Sequence, residues 1–135
     1  VLFRAIINQT NMDNQNQPKF EAWWDEKEKI VRTKFFGDQE EKDAEMFANK
    51  MRELAASHGG KVKILTDGKG GGKSSTTARK IYYELYESGV IEKSALFGLG
   101  PIQRVIASFV HHRQSQTEAK FFGTEEEALK WLEEK

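Results

Sequence analysis

The chain contains no cysteine and few histidines, and its charges balance, which together exclude several classes of function. Zero cysteines among 135 residues exclude disulfides, thiolate catalysis and zinc–thiolate sites. The three histidines have no paired carboxylates at metal-ligand spacing nearby, so we expect no metal site. Basic and acidic residues number 21 each, which removes the electrostatic argument for a general nucleic-acid or membrane-surface binder.

Long apolar runs are also missing, since none approaches the roughly 20 residues that a membrane-spanning helix needs. Together with the absence of cysteine, this favours a soluble, cytoplasmic protein. A length of 135 residues suits one domain with a single core. A short apolar stretch at the start gives way to a polar run ending at Pro18. We therefore expect residues 1–19 to be a disordered or vector-derived tail and residues 20–135 to form the domain.

The rest of the sequence alternates between strand and helix patterns. Aromatic and β-branched runs at 20–24 and 30–36 predict a hairpin. Apolar residues at helical spacing predict helices from Asp38 to Gly59, around 78–85, after Pro101, and after a Thr-x-x-Glu capping box at Thr124. Short apolar runs between them predict further strands at 62–65, 93–97 and 119–122. The predicted order is β-β-α-β-α-β-α-β-α, an α/β arrangement with parallel pairings after the opening hairpin.

A glycine loop, residues 68–77, joins the strand ending at Asp67 to the second predicted helix. Glycines permit positive φ, and a helix N-terminus offers free N–H groups, so the place suits an anion or a phosphorylated hydroxyl. The anion-binding candidates are Lys69, Gly72, Lys73 and Ser74.

The loop is also a near match to the nucleotide-binding pattern G-x-x-x-x-G-K-[ST], with Asp67 in place of the first glycine. An acid at that turn would repel phosphate, and no later strand ends in an Asp suited to hold Mg²⁺, so nucleotide hydrolysis is disfavoured. The plainer interpretation is a surface loop in which Ser74 or Ser75 caps the helix.

Aromatic residues are numerous, and neighbours on a strand point to opposite faces of a sheet. Burial on both faces is the first interpretation of the set Trp23, Trp24, Phe35, Phe36, Phe121, Phe122 and Trp131. Without a helix layer on one side, the same residues would form a surface for a partner, a second copy or a lipid. Tyr83 and Tyr86 lie toward the rim of the second helix's apolar stripe and, with Asp67, are partner-surface candidates.

The C-terminal sequence Lys-Phe-Phe-Gly-Thr-Glu-Glu-Glu-Ala-Leu-Lys-Trp-Leu, residues 120–132, resembles the closing strand and acidic helix of the SpoIIAA-like branch of the STAS superfamily. Ala-Leu-Phe-Gly from Ala95, followed by the apolar residues of 102–110, resembles that family's penultimate strand and helix. Ala78-Arg-Lys80 resembles part of its second helix. The resemblance covers roughly residues 20–135 and implies a SpoIIAA-like (STAS) fold, a mixed sheet with helices.

Similarity to anti-sigma-factor antagonists implies a non-enzymatic regulatory module without a cofactor. Such a module binds a protein partner, an anti-sigma factor or a kinase-like protein, and is switched by phosphorylation. Carried over by position, the switch falls among Ser74, Ser75, Thr76 and Thr77, and Asp67 corresponds to the family's strand-end acid. This loop is longer than the compact Asp-Ser-Gly-like turn of members with known partner switching.

Two other functions stay open at this point, as does a homodimer. One is a small-molecule or lipid carrier, because the STAS fold is similar to that of Sec14-like carriers, with an apolar ligand held against the sheet. The other is a phosphate- or nucleotide-binding protein that uses the glycine loop.

Overall fold

The computed structural model describes residues 17–101, 104 and 117–134. Within them the chain forms seven strands and three helices: β1 (Phe20–Asp25), β2 (Ile30–Phe35), β3 (Gly37–Gln39), α1 (Glu41–Ser57), β4 (Val62–Asp67), β5 (Gly71–Ser74), α2 (Thr76–Glu87), β6 (Ile91–Phe97), β7 (Glu118–Phe122) and α3 (Glu125–Glu133). The helix predicted after Pro101 lies almost entirely outside the described residues, as does most of the predicted tail 1–19.

A five-stranded mixed sheet in the order β1-β2-β4-β6-β7 forms the centre of the fold. The predicted hairpin is confirmed, because β1 and β2 pair antiparallel, with Phe20 opposite Phe35. The pairs β2·β4, β4·β6 and β6·β7 are parallel. Parallel neighbours need a crossover connection, which α1 supplies between β2 and β4 and α2 supplies between β4 and β6.

Helices α1 and α2 cover one face of the sheet. Strand positions alternate between faces, so Val31 of β2 and Ile64 of β4 point to these helices. They meet Phe47 and Met51 of α1 and Leu85 of α2, all at most 1% exposed. The Phe20 ring contacts Phe47 edge-on, with centroids 5.3 Å apart.

Helix α3 packs against the opposite face. The buried cluster there contains Ile30, Leu65, Ala95, Phe97, Ala128, Trp131 and Leu132. Thr124 begins the helix as predicted, with its hydroxyl accepting the Glu127 N–H at 3.2 Å. Two lysines end it. Lys63 donates to the Leu132 carbonyl at 2.9 Å, and the 7% exposed Lys93 donates to the Glu134 carbonyl at 2.9 Å.

The structure differs from the sequence prediction at two short strands that pair with each other. β3 and β5 form a separate parallel two-stranded sheet, with Gly37 opposite Gly71 and Gln39 opposite Ser74. The helix predicted from Asp38 therefore begins at Glu41, and part of the glycine loop is a strand. Gly-Gly-Lys-Ser has low intrinsic β-propensity, so only its distant partner strand determines this conformation.

The expectation that Tyr86 lies at an exposed rim is wrong. Its side chain is 5% exposed, and its hydroxyl lies 3.1 Å from the Ser94 hydroxyl of β6. Burial raises the pKa of Tyr86 to about 12, and the Ser94 hydrogen bond opposes this rise. Tyr86 stands eight residues after the buried Ala78, which places both on the same helix face. Tyr83 is partly buried and packs against the same core cluster.

Candidate functional site

The glycine loop lies where three strands of the five-stranded sheet, β2, β4 and β6, end. Directly after β4, the Gly68 N–H donates to the Phe97 carbonyl at the end of β6, at 2.9 Å. After β2, the Gly37 N–H donates to the Gly70 carbonyl at 2.7 Å. Carboxyl ends of parallel strands are the common place for binding sites in open α/β sheets. The backbone thus brings the loop, the β2–β3 junction and the β6 terminus together.

Asp67, the predicted strand-end acid, holds the first turn of the loop. One of its carboxylate oxygens, Oδ1, accepts the Lys69 N–H at 3.0 Å. The Lys69 ammonium lies 5.5 Å from the centroid of the Phe97 ring, within range of a cation–π interaction. Asp67 is half-buried and Lys69 as a whole is exposed, so the carboxylate fixes the turn at the protein surface.

The anion-binding candidates do not form a phosphate cradle. Asp38 Oδ1 accepts the Lys73 N–H at 2.8 Å, and a Cβ on Gly72 would lie 2.3 Å from that oxygen. The Gly71 N–H donates to the Gly68 carbonyl at 3.1 Å. A phosphate-binding loop keeps such N–H groups free for the ligand. Here the N–H groups of Lys69, Gly71 and Lys73 are all paired, two of them with carboxylates that would repel phosphate.

The four candidate switch hydroxyls, Ser74, Ser75, Thr76 and Thr77, surround the start of α2. Ser75 is the N-cap, and its Oγ accepts the Ala78 N–H at 3.1 Å, which confirms the capping interpretation. Thr76 and Thr77 follow in the first turn and are exposed. The Arg79 guanidinium donates to the Ser74 carbonyl and, at 3.3 Å, to the Thr76 hydroxyl. A cation therefore already lies beside these hydroxyls.

A buried polar side chain that the sequence pattern did not single out connects β3 to α2. Gln39 is 4% exposed, and its side-chain oxygen accepts the Tyr82 hydroxyl at 3.2 Å. The backbone carbonyl of Gln39 accepts the Ser75 N–H at 2.9 Å. Burial, with a smaller contribution from the Asp43 charge, raises the pKa of Tyr82 above its usual range. The sequence around Gln39 gives no sign of this role, because its hydrogen-bond partners Ser75 and Tyr82 lie 36 and 43 residues later in the chain.

A shallow groove separates α1 and α2 on the outer surface. Its lining is mostly polar, with Glu45, Asn49, Arg52 and Glu84 around a floor of Ala48 and Ile81. In residues 17–101, 104 and 117–134, no three His, Cys, Asp or Glu side chains are grouped to hold a metal ion. No helix in this part of the chain is long and apolar enough to cross a membrane.

Comparison with known proteins agrees with this architecture. The family model described as SpoIIAA-like matches residues 30–133, which is most of the chain. The chain belongs to the SpoIIAA-like family. The match includes the whole glycine loop and both helix layers of the sheet, so the family resemblance predicted from residues 120–132 is confirmed.

Two solved structures show the same fold as this SpoIIAA-like chain. An uncharacterized protein of the DUF3478 family from Shewanella loihica PV-4, described as having a SpoIIAA-like fold, aligns with a TM-score of 0.62 and 23% identity, over 84% of this chain and 91% of that one. The anti-sigma factor antagonist SpoIIAA in its unphosphorylated form aligns with a TM-score of 0.57 and 15% identity, over 84% of this chain and 96% of that one. At these identities the likeness establishes the fold. No match was found among curated proteins.

Proposed function

We propose that this SpoIIAA-like protein is a regulatory module that binds a protein partner without catalysis, and that the glycine loop is its switch. The observation that carries the proposal is the group of four hydroxyls at the start of α2 beside the Arg79 guanidinium. One solved neighbour is an anti-sigma factor antagonist in an unphosphorylated form, and we extend that role here as a proposal. The partner would be an anti-sigma factor or a kinase-like protein.

Phosphorylation would change the electrostatics of this loop strongly. A phosphate adds nearly two negative charges, and the N-terminus of α2 carries a partial positive charge that attracts them. Arg79 already contacts this segment, and the exposed Lys73 directly precedes it. A phosphate on Ser75 would also replace the hydroxyl that caps Ala78. We therefore expect phosphorylation to reorder the loop and alter the partner surface. Because a kinase and ATP are required, we propose a cytoplasmic location.

The two other candidate functions receive less support from the geometry. A carrier of apolar ligands needs an apolar cavity, whereas the groove described between α1 and α2 is lined mainly by polar side chains. A nucleotide-binding loop needs free backbone N–H groups, whereas those of Gly71 and Lys73 are paired.

Mass spectrometry of the purified protein after incubation with ATP in a lysate of its own host tests the proposal. We expect one phosphate, mapped by peptide analysis to Ser74, Ser75, Thr76 or Thr77. A variant with alanine at all four positions should stay unmodified, whereas Ser57→Ala, which removes an exposed hydroxyl at the far end of α1, should be modified like the wild type. Full coverage of the loop without a phosphate, or a phosphate that persists in the fourfold variant, would contradict the switch.

A further inference from the structure

Strand β1 lies at one edge of the five-stranded sheet, with β2 as its only strand neighbour among the described residues. The Phe36 N–H donates to the Lys19 carbonyl at 2.9 Å, so these two residues form a hydrogen-bonded pair that continues the β1·β2 register. Hydrogen-bonded and non-hydrogen-bonded pairs alternate along an antiparallel ladder. The residues of β1 whose N–H and C=O groups point away from β2 are therefore Phe20, Ala22 and Trp24.

These outward backbone groups, which we call the β1 edge, have no hydrogen-bond partner in residues 17–101, 104 and 117–134. Natural sheets protect such edges with lysine, proline or a bulge. β1 contains neither residue, and its pairing with β2 runs from Phe20 to Asp25 without a bulge. β7, at the other edge of the sheet, has the exposed charges of Glu118 and Lys120. The β1 edge is therefore open to another strand.

Helix α1 holds both ends of the β1 edge in place. The Phe20 ring contacts Phe47 edge-on, with centroids 5.3 Å apart. The Trp24 ring stacks on the His58 ring at the C-terminal end of α1, with centroids 3.6 Å apart. An edge that is already ordered loses little conformational freedom when another strand binds.

The aromatic residues near this edge are not fully buried. Trp23 and Trp24 are both partly exposed, and Phe36, directly after β2, has 41% of its surface accessible. The expectation that the aromatic pairs are buried on both faces is therefore wrong in β1 and at Phe36. Partly exposed apolar surface beside an open strand edge favours association.

We infer that the β1 edge pairs antiparallel with the β1 edge of a second copy of this chain, which joins the two sheets into one. This inference does not depend on the proposed function. A two-fold axis at Ala22, perpendicular to the sheet, places Ala22 opposite the partner's Ala22 and Phe20 opposite the partner's Trp24. Every outward N–H and C=O of the three residues then has a partner.

The charges of β1 favour this register over the neighbouring ones. With the axis at Ala22, Lys19 lies opposite the partner's Asp25, a residue that also pairs with Arg32 of its own chain at 2.7 Å. An axis at Glu21 would oppose two identical carboxylates, and an axis at Trp23 would oppose Glu21 and Asp25. Like charges directly opposite each other are destabilising. Axes nearer either end of the strand pair fewer of the outward groups, so β1 is complementary to itself in one register.

The dimer leaves both glycine loops accessible. Because the two β1 strands run antiparallel, the carboxyl ends of β2 and β4 in one copy lie at the opposite end of the joined sheet from those of the other copy. The dimer and the proposed switch therefore use separate surfaces, and either can fail without the other.

Analytical ultracentrifugation of the full chain over a dilution series tests for the dimer. We expect a dimer that dissociates on dilution, and hydrogen exchange at the amides of Phe20, Ala22 and Trp24 that is slower at high protein concentration. A monomer at the highest concentration that the protein reaches would overturn the inference. If that monomer also showed slow exchange at these amides, a segment of the same chain would be covering the edge.

Two substitutions at Ala22 locate the interface. Ala22→Pro removes the N–H that points away from β2 and leaves the β1·β2 hydrogen bonds in place. Two hydrogen bonds across the axis are lost, so the dissociation constant of the dimer should rise about tenfold or more. The control Ala22→Ser keeps this N–H and should dimerise like the wild type, and circular dichroism checks that both variants are folded. An unchanged dimer in Ala22→Pro, or an equal loss in Ala22→Ser, would overturn the inference.

Disulfide crosslinking reads the register directly, because the natural chain has no cysteine. Glu21 and the partner's Trp23 are a directly opposite, non-hydrogen-bonded pair in this dimer, with Cα atoms about 4.5 Å apart, a separation that a disulfide spans. Glu21→Cys and Trp23→Cys should therefore form a disulfide-linked dimer quickly when mixed and oxidised, and slowly when each is oxidised alone. Fast crosslinking of either variant with itself, or none in the mixture, would overturn the inferred pairing.

Discussion

At the scale of a residue, Gly72 shows how one missing Cβ determines the path of a loop. The carboxylate of Asp38 occupies the space beside Gly72 and accepts the Lys73 N–H. Gly72→Ala would place a Cβ 2.3 Å from Asp38 Oδ1 and 3.1 Å from the Asp38 N and the Gly37 carbonyl carbon. We expect the variant to lose about 1–3 kcal/mol of unfolding free energy, because Asp38 must move and Lys73 N–H loses its acceptor. Urea denaturation measures this.

Gly123→Ala is the matched control for that substitution. A Cβ there would lie 3.5 Å from the nearest atom, the Glu127 carboxylate oxygen, which is an ordinary contact. Its unfolding free energy should stay within about 0.5 kcal/mol of the wild type. Equal effects of the two substitutions would contradict a specific role for the space beside Gly72.

At the scale of an element, the beginning of α2 depends on Ser75. Its hydroxyl satisfies the Ala78 N–H, one of the donors that a helix leaves unpaired at its start. Ser75→Ala should therefore lower the unfolding free energy by about 1 kcal/mol, measured by chemical denaturation. Thr77→Ala, at an exposed position in the same turn, is the comparison and should have a smaller effect. Equal decreases in unfolding free energy for Ser75→Ala and Thr77→Ala would contradict a stabilising role for the cap.

The helices and strands also show which parts of the fold local sequence patterns predict. The hairpin, α1, α2 and the capped α3 follow from periodicity and capping residues, which are local signals. β3 and β5 do not, because Gly37–Gln39 and Gly71–Ser74 form strands only by pairing with each other. Lys93 is a similar case. A lysine in a strand suggests an exposed position, yet this one is buried because a backbone carbonyl at the C-terminal end of α3, 38 residues later, accepts a hydrogen bond from its ammonium group.

For the candidate site, the sequence predicted where the loop lies but not how its groups pair. The position of the loop between β4 and α2 and the capping hydroxyl were expected from local sequence. The pairing of Lys73 with Asp38 and the contact of Ser75 with Gln39 come from β3, which precedes α1 in the chain. Tyr86 could have been found, since it completes the i, i+4, i+8 stripe of Ala78 and Tyr82.

At the scale of the whole molecule, two phenols on the core face under α1 and α2 link stability to alkaline pH: Tyr86, which is buried, and Tyr82, which is partly buried. Tyr86 has a pKa of about 12 in the folded state against an ordinary value of 10.0, because burial disfavours its charged form. Burial also raises the pKa of Tyr82. A raised folded pKa stabilises the fold fully below pH 10, and this stabilisation is lost as the pH rises toward the folded pKa. The unfolding free energy should therefore decrease above pH 10.

Removing one phenol isolates its contribution from every other effect of pH in the same range. Tyr86→Phe should be less stable by about 1 kcal/mol at neutral pH, because the buried Ser94 hydroxyl loses a partner. Above pH 10 its stability should decline less steeply than that of the wild type, by up to about 1.4 kcal/mol per pH unit, since one phenol no longer ionises on unfolding. Urea denaturation of both proteins between neutral pH and pH 11 measures the difference. Parallel declines would show that Tyr86 ionises in the folded state as easily as in the unfolded chain, which its burial between α2 and β6 argues against.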